Sequence, residues 1–156
     1  MTADSERESD GSDPADDVHR EVVHATGHEN VTAEHESTFE VTTDDWLTPA
    51  GGCILAVDAD RTPADFDDEF RTAARDPDAT IRFTLDVADH EHVVTGRGHS
   101  ELEYTNDRSM VGRTSTYVDD RTIMVDADAA AETIDRDVVD ALAAGADARI
   151  VLEIEP

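Results

Sequence analysis

Histidine and aspartate carry most of the chemistry this sequence offers. His24, His28 and His35 lie close together near the start, and His99 stands in a phrase that repeats the surroundings of His28. Three imidazoles with an open fourth position form a working zinc arrangement. One reading is therefore a divalent metal such as zinc held by His24, His28 and His35, with His99 or Asp58 as a further ligand. Asp58 or Asp126 would then be the base of a metal-dependent hydrolase. The spacing matches no helix-borne His-Glu-x-x-His pattern, so whether the chain is an enzyme stays open. Asp58 and Asp126 hold the same place in a twice-written Val-Asp-Ala-Asp, as a carboxylate pair for acid and base work would. Asp60 and Asp128, which close that phrase, read as caps for free N–H groups at helix starts. Arg97, two residues before His99, offers an anion contact. The plainer alternative is that each imidazole bonds nearby backbone and fixes a turn.

The elements that position these residues are themselves written twice. "VVHATGHENV" from Val22 returns as "VVTGRGHSEL" from Val93, and "CILAVDAD" from Cys53 returns as "RTIMVDAD" from Arg121. Phe66, Phe70 and Ala74 answer Ile134, Val138 and Leu142, and "IRFTL" from Ile81 answers "IVLEI" from Ile150. Four blocks in one order predict an internal duplication, with repeats 22–90 and 93–155. Within each repeat the local signals are consistent. "VTAEHESTFEV" alternates and predicts a half-buried strand that places His35 on the apolar face. "CILAV" and "TIMV" are continuous apolar runs, expected of strands covered on both faces. In "TPADFDDEFRTAAR" a Thr62/Asp65 capping box, Pro63 and the Phe66, Phe70, Ala74 stripe predict a helix that Pro77 ends. Gly145 ends its counterpart.

The expected fold class is β-rich, mainly β with two helices. It is a barrel or sandwich built from two tandem hairpin-strand-helix-strand repeats with pseudo-twofold symmetry. Gly27 and Gly98 are expected at turns that need freedom in φ. "DHEH" places His90 and His92 at a hairpin tip. Trp46 and Leu47 are expected to fold back over one end of the fold.

Composition bounds the function classes. The net charge is -27 and every basic residue is arginine. Acidity spread this evenly is the pattern of a chain adapted to molar salt, where self-repulsion is screened. It argues against direct nucleic-acid binding, and no stretch is long and apolar enough for a membrane span. A cytoplasmic domain is expected, with its partner unspecified. A single cysteine, Cys53, excludes an intrachain disulfide and reads as a small buried hydrophobe. Residues 1–20 are acidic and polar and predict a disordered tail ahead of one domain over 21–156.

The phrases "HATGHENVTAEHESTFEVT", "LTPAGGCILAVDAD", "VVTGRGHSELEYT" and "DRTIMVDADAAA" together resemble an archaeal family known as domain of unknown function 371. The resemblance covers about residues 22 to 155, and the His24, His28, His35 pattern is its most specific part. It implies an archaeal, here haloarchaeal, protein with a strand-rich fold, and it supplies no activity or ligand residues. Thr43 and Ala129 stand where lysine is expected of relatives, so no role can rest on an ammonium there. The leading functional expectation is binding of a small ligand or macromolecular partner at the seam between the repeats, near His28, His99, Arg97, His35, Asp58 and Asp126. A purely structural or assembly role is the third reading.

Overall fold

A computed structural model describes residues 19–48 and 50–155, so most of the acidic tail expected over residues 1–20 lies outside the described residues. His19 and Arg20 already belong to the first strand. The strands are β1 (His19–Thr26), β2 (Thr38–Thr42), β3 (Ile54–Ala56), β4 (Thr80–Val87), β5 (His90–Arg97), β6 (Ser109–Arg113), β7 (Thr122–Met124) and β8 (Asp147–Glu155). The helices are α1 (Asp68–Ala74) and α2 (Arg136–Ala143).

The strands make two four-stranded sheets, ordered β1-β8-β4-β5 and β3-β2-β6-β7. All neighbours in the first sheet are antiparallel. In the second, β2 and β6 are antiparallel, with β3 and β7 added in parallel outside them. Among the described residues the two sheets do not close into a barrel and are joined by single bridges, Thr26 with Val57 and Arg97 with Val125. The hairpin expected to open each repeat is also absent. β1 and β2 fall in different sheets, as do β5 and β6. The tight hairpin that does form joins β4 to β5, with Ala88 at φ 55° in its turn and His90 beside it.

Period-two burial explains the first sheet. Ile81, Phe83, Leu85 and Val87 of β4 face inward, and Ala148, Ile150, Leu152 and Ile154 of β8 meet them. The two sheets close over this layer, with the rings of Phe39 and Phe83 4.7 Å apart across the gap. One expectation fails here. Residues 31–37 alternate in type but form no strand, because Ala33 turns the chain at φ 50° and leaves His35 exposed. Period-two polarity also arises where a loop dips Val31 and Ala33 into the core.

The expected helix after Thr62 is split. Pro63–Asp65 form a 3₁₀ turn whose start is fixed by the Thr62 N–H donating to Asp65 at 2.9 Å. Phe66 is then extended before α1 begins. The stripe survives the break, since Phe66, Phe70 and Ala74 are all buried, as are Ile134, Val138 and Leu142. Gly145, at φ 89°, ends the turn after α2. No helix among the described residues is long and apolar enough to cross a membrane.

Each helix crosses one end of the first sheet. α1 starts beside β1, where the Asp67 N–H donates to Glu21 at 2.8 Å. It finishes beside the end of β5, where the His99 N–H donates to Ala74 at 3.1 Å. α2 starts beside β5, with the Asp135 N–H on His92 Nδ1 at 3.2 Å, and finishes beside the end of β1. The closures need Gly27 and Gly98 for proximity. Neither has a positive φ, but a Cβ on Gly27 would overlap the Leu142 carbonyl oxygen, and one on Gly98 those of Ala74 and Asp76. Gly27→Ala and Gly98→Ala should each destabilise the chain by about 1–3 kcal/mol, the usual cost of overpacking. Urea denaturation checks this, and wild-type midpoints in both variants would refute the close-approach account.

Candidate functional site

The histidines are held by their own turns. His28 Nδ1 accepts the Asn30 N–H at 3.0 Å, and His99 Nδ1 accepts the Glu101 N–H at 3.0 Å. Their carbonyls accept from Val31 at 2.9 Å and Leu102 at 3.0 Å. His35 Nδ1 accepts from the N–H groups of Ser37 and Thr38, both at 3.2 Å. At the matching place of the second half Asn106 Oδ1 accepts from Arg108 at 2.9 Å and Ser109 at 2.8 Å. A ring nitrogen that accepts an N–H leaves the proton of a neutral imidazole on the other nitrogen, where it blocks the lone pair a metal would use. His24 sits on the exposed side of β1, next to a shallow depression lined by Asp58, Asp60 and Asp147. Among the described residues no three His, Cys, Asp or Glu side chains gather into a group able to hold an ion, so His24, His28 and His35 do not form the expected metal set.

Nor does the fold bring His28 and His99 together. They follow β1 and β5, the two edges of the first sheet, which run in opposite directions. Three strand spacings, roughly 14 Å, separate them across the sheet, and about 26 Å of strand separates them along it. Asp58 and Asp126 part in the same way, since they follow β3 and β7 at opposite edges of the second sheet. Both are exposed and left-handed, at φ 56° and 51°. Arg97 is exposed on an edge strand, and its backbone pairs with Val125. Asp60 and Asp128 are not helix caps. Asp60 Oδ1 accepts the His24 N–H at 2.9 Å and Asp128 Oδ1 accepts the Thr95 N–H at 3.0 Å, clipping loops to edge strands.

The groups that do converge lie on the outer face of the second sheet, where β2 and β6 run side by side. Glu40, Asp44, Trp46 and Ile54 from the first half meet Asn106, Arg108, Ser109 and Arg121 from the second around a cleft of about 270 Å³. Leu47 plugs the loop that carries Trp46, and Asn30 Nδ2 holds the Leu47 carbonyl at 2.7 Å. Of the two residues expected to fold back, Leu47 is buried, but Trp46 stands in solvent. A chain of polar contacts runs through Glu40 and Arg121 of the cleft and on to residues beside it. Cys53 Sγ donates to Glu40 at 3.3 Å, Glu40 lies 3.8 Å from Arg121, and Asp119 takes Arg121 at 3.4 Å and Arg113 at 2.9 Å. Burial and the neighbouring Glu40 carboxylate push the Cys53 thiol up to about 11, so it is no ready nucleophile. Partial burial draws the Asp119 carboxyl upward, but hydrogen bonds from the Arg121 N–H, Thr122 and Arg113 together hold it below its ordinary value. The hydrogen-bonded Arg108 guanidinium lowers Asp44 as well.

The family profile described as domain of unknown function (DUF371) matches residues 23–155. This chain belongs to the DUF371 family. An uncharacterised protein of Methanocaldococcus jannaschii is 37% identical over 124 residues, 80% of this chain and 91% of that protein. The match takes in the DUF371 chain from within β1 to the end of β8, including every residue of the cleft.

The repeated phrases lead to the histidines and away from Arg108, Glu40 and Asn106, which belong to no repeated block, and from Arg121, which opens one but has no arginine counterpart at Cys53. The available signal was weaker: Trp46 is the one tryptophan, on a Gly-Gly loop, and three of the twelve arginines, Arg108, Arg113 and Arg121, stand close together around β6. The turn role of the histidines predicts a graded outcome. His28→Ala and His99→Ala should each cost about 0.5–1.5 kcal/mol, the worth of one such hydrogen bond. His28→Asn, which can accept from the backbone as Asn106 does, should recover most of it. Denaturation midpoints measure this, and equal losses for Ala and Asn would rule out the turn role.

Proposed function

We propose that this domain is a binding module whose small ligand sits in the cleft under Trp46, at the seam between two copies of one folding unit. The observation that carries the reading is the single tryptophan, 56% exposed, standing over a cleft walled by both halves. An indole held in water beside a cleft offers a large apolar face for contact. The duplication is supported by more than the repeated phrases. Each half runs strand, strand, strand, 3₁₀ turn, helix, strand. The bonds of His28 match those of His99, and those of His35 match Asn106. The left-handed residues also pair, Ala33 with Tyr104 and Asp58 with Asp126. The seam is the place where neither copy alone makes a complete wall. A metal-dependent hydrolase has less support, because two of the three imidazoles it would use, His28 and His35, are engaged by backbone.

Saturation-transfer NMR with a mixed panel of small cations, anions and neutral metabolites tests the reading against the whole chain and its Trp46→Ala variant. Compounds that bind the cleft should lose about tenfold in affinity in the variant, about 1.4 kcal/mol. If no compound distinguishes the two proteins, the cleft is not a binding site and an assembly role takes its place.

We also read the evenly spread acidity as an adaptation to concentrated salt, as in a haloarchaeal member of the family. The melting temperature should then climb between about 0.1 M and about 1 M potassium chloride, as the Debye length shortens from about 10 Å to about 3 Å. A flat or falling midpoint over that range would count against it.

A further inference from the structure

The chemistry of the cleft narrows what it takes. Arg108 is 62% exposed and Arg121 42%, whereas the carboxylates they face, Asp44 at 24% and Glu40 at 13%, lie behind them against the sheet. In a chain with 39 acidic and 12 basic residues, this face presents guanidinium outward and carboxylate inward.

Arg121 has donors to spare. Its guanidinium contacts are long, 3.8 Å to Glu40 and 3.4 Å to Asp119, and Asp119 is more tightly engaged by Arg113 at 2.9 Å. A planar guanidinium with five N–H groups in a fixed fork is matched to a carboxylate or phosphate edge. Arg108, by contrast, already grips Asp44 through Nε and Nη2.

Tyr117, the other strongly exposed aromatic, stands four residues beyond β6 as Trp46 stands four residues beyond β2. Tyr117 has a flat group on its ring, the Arg113 guanidinium at 4.8 Å from the centroid. At the position matching Arg113 the first half has Thr42, which is buried and too short to cover an indole.

We propose that the cleft selects a small planar anion, an unsaturated ring carrying a carboxylate or phosphate, which stacks on Trp46 while its oxygens bridge to Arg121 and Arg108. This rests on the binding-module reading and adds the ligand class to it. Stacking supplies shape selection for a flat ring. The guanidinium pair supplies the sign of charge, and salt screening lets an anion approach a chain of net charge -27.

The test uses the single-tryptophan emission of the whole chain in concentrated potassium chloride, with four probes of nearly one size. Benzoate is planar and anionic, cyclohexanecarboxylate anionic and puckered, benzamidine planar and cationic, and benzamide planar and neutral. Benzoate should change Trp46 emission saturably and bind at least about tenfold tighter than each of the others. Arg121→Gln and Arg108→Gln should each weaken benzoate about tenfold or more, while Arg149→Gln on the other sheet leaves it unchanged. Equal or tighter binding of benzamidine, equal binding of cyclohexanecarboxylate, insensitivity to both arginine variants, or no response to benzoate would each overturn the proposal. If cations or neutral compounds from the broader panel still bind in a Trp46-dependent way, the cleft remains a binding site and only the anion class is wrong. If nothing in that panel depends on Trp46, both fall together.

Discussion

Two points of backbone contact hold this fold shut. Gly27 lies against the carbonyl of Leu142 and Gly98 against those of Ala74 and Asp76, so the end of each edge strand touches the end of a helix with no side chain between. Without those contacts the layer between the sheets would be open at both ends. Phe66, Phe70 and Tyr104 fill one end, with Tyr104 donating to the Ile123 carbonyl at 2.6 Å, and Ile134, Val138 and Leu142 fill the other. The helices are short, and their stability comes from this burial more than from their own hydrogen bonds. The sheets, the turns after Gly27 and Gly98, and the loop beneath Trp46 are all placed by it.

The histidine immediately after each glycine belongs to the same device. Once the strand has met the helix, the chain must turn sharply, and the ring nitrogen takes up an N–H that the turn would otherwise leave unpaired. His35 and Asn106 show that the requirement is for an acceptor at a fixed reach, since an imidazole and an amide meet it equally. Repetition in sequence here marks a repeated geometric problem. The cleft groups differ in type between the two halves, an aromatic loop coming from one and arginines from the other.

That difference governs what could be read from the residues alone. The β-rich class, the two helices, the buried stripes at Phe66, Phe70, Ala74 and Ile134, Val138, Leu142, and the apolar runs around Leu55 and Ile123 were legible because burial imposes a period or an unbroken apolar run on side-chain type. The strand misread at residues 31–37 shows where that rule stops: a loop that dips twice into the core alternates as a strand does. The pairing of β1 with β8 and of β2 with β6 links residues more than sixty apart, and no local pattern encodes it. Convergence at the cleft follows from that pairing and so was hidden. The histidines drew attention because imidazole is chemically versatile, yet their surroundings decided their use.

The outer edge of β1 is sealed along most of its length. The Val22 carbonyl accepts Arg61 at 3.0 Å, His24 exchanges bonds with Asp60, and Thr26 pairs with Val57. On β5, Thr95 and Arg97 are engaged in the same way by Asp128 and Val125. A strand from a neighbouring molecule would have to displace these partners before it could extend the sheet, which guards against runaway stacking of one copy on the next. Self-association by strand addition is thereby steered away from these two margins of the first sheet.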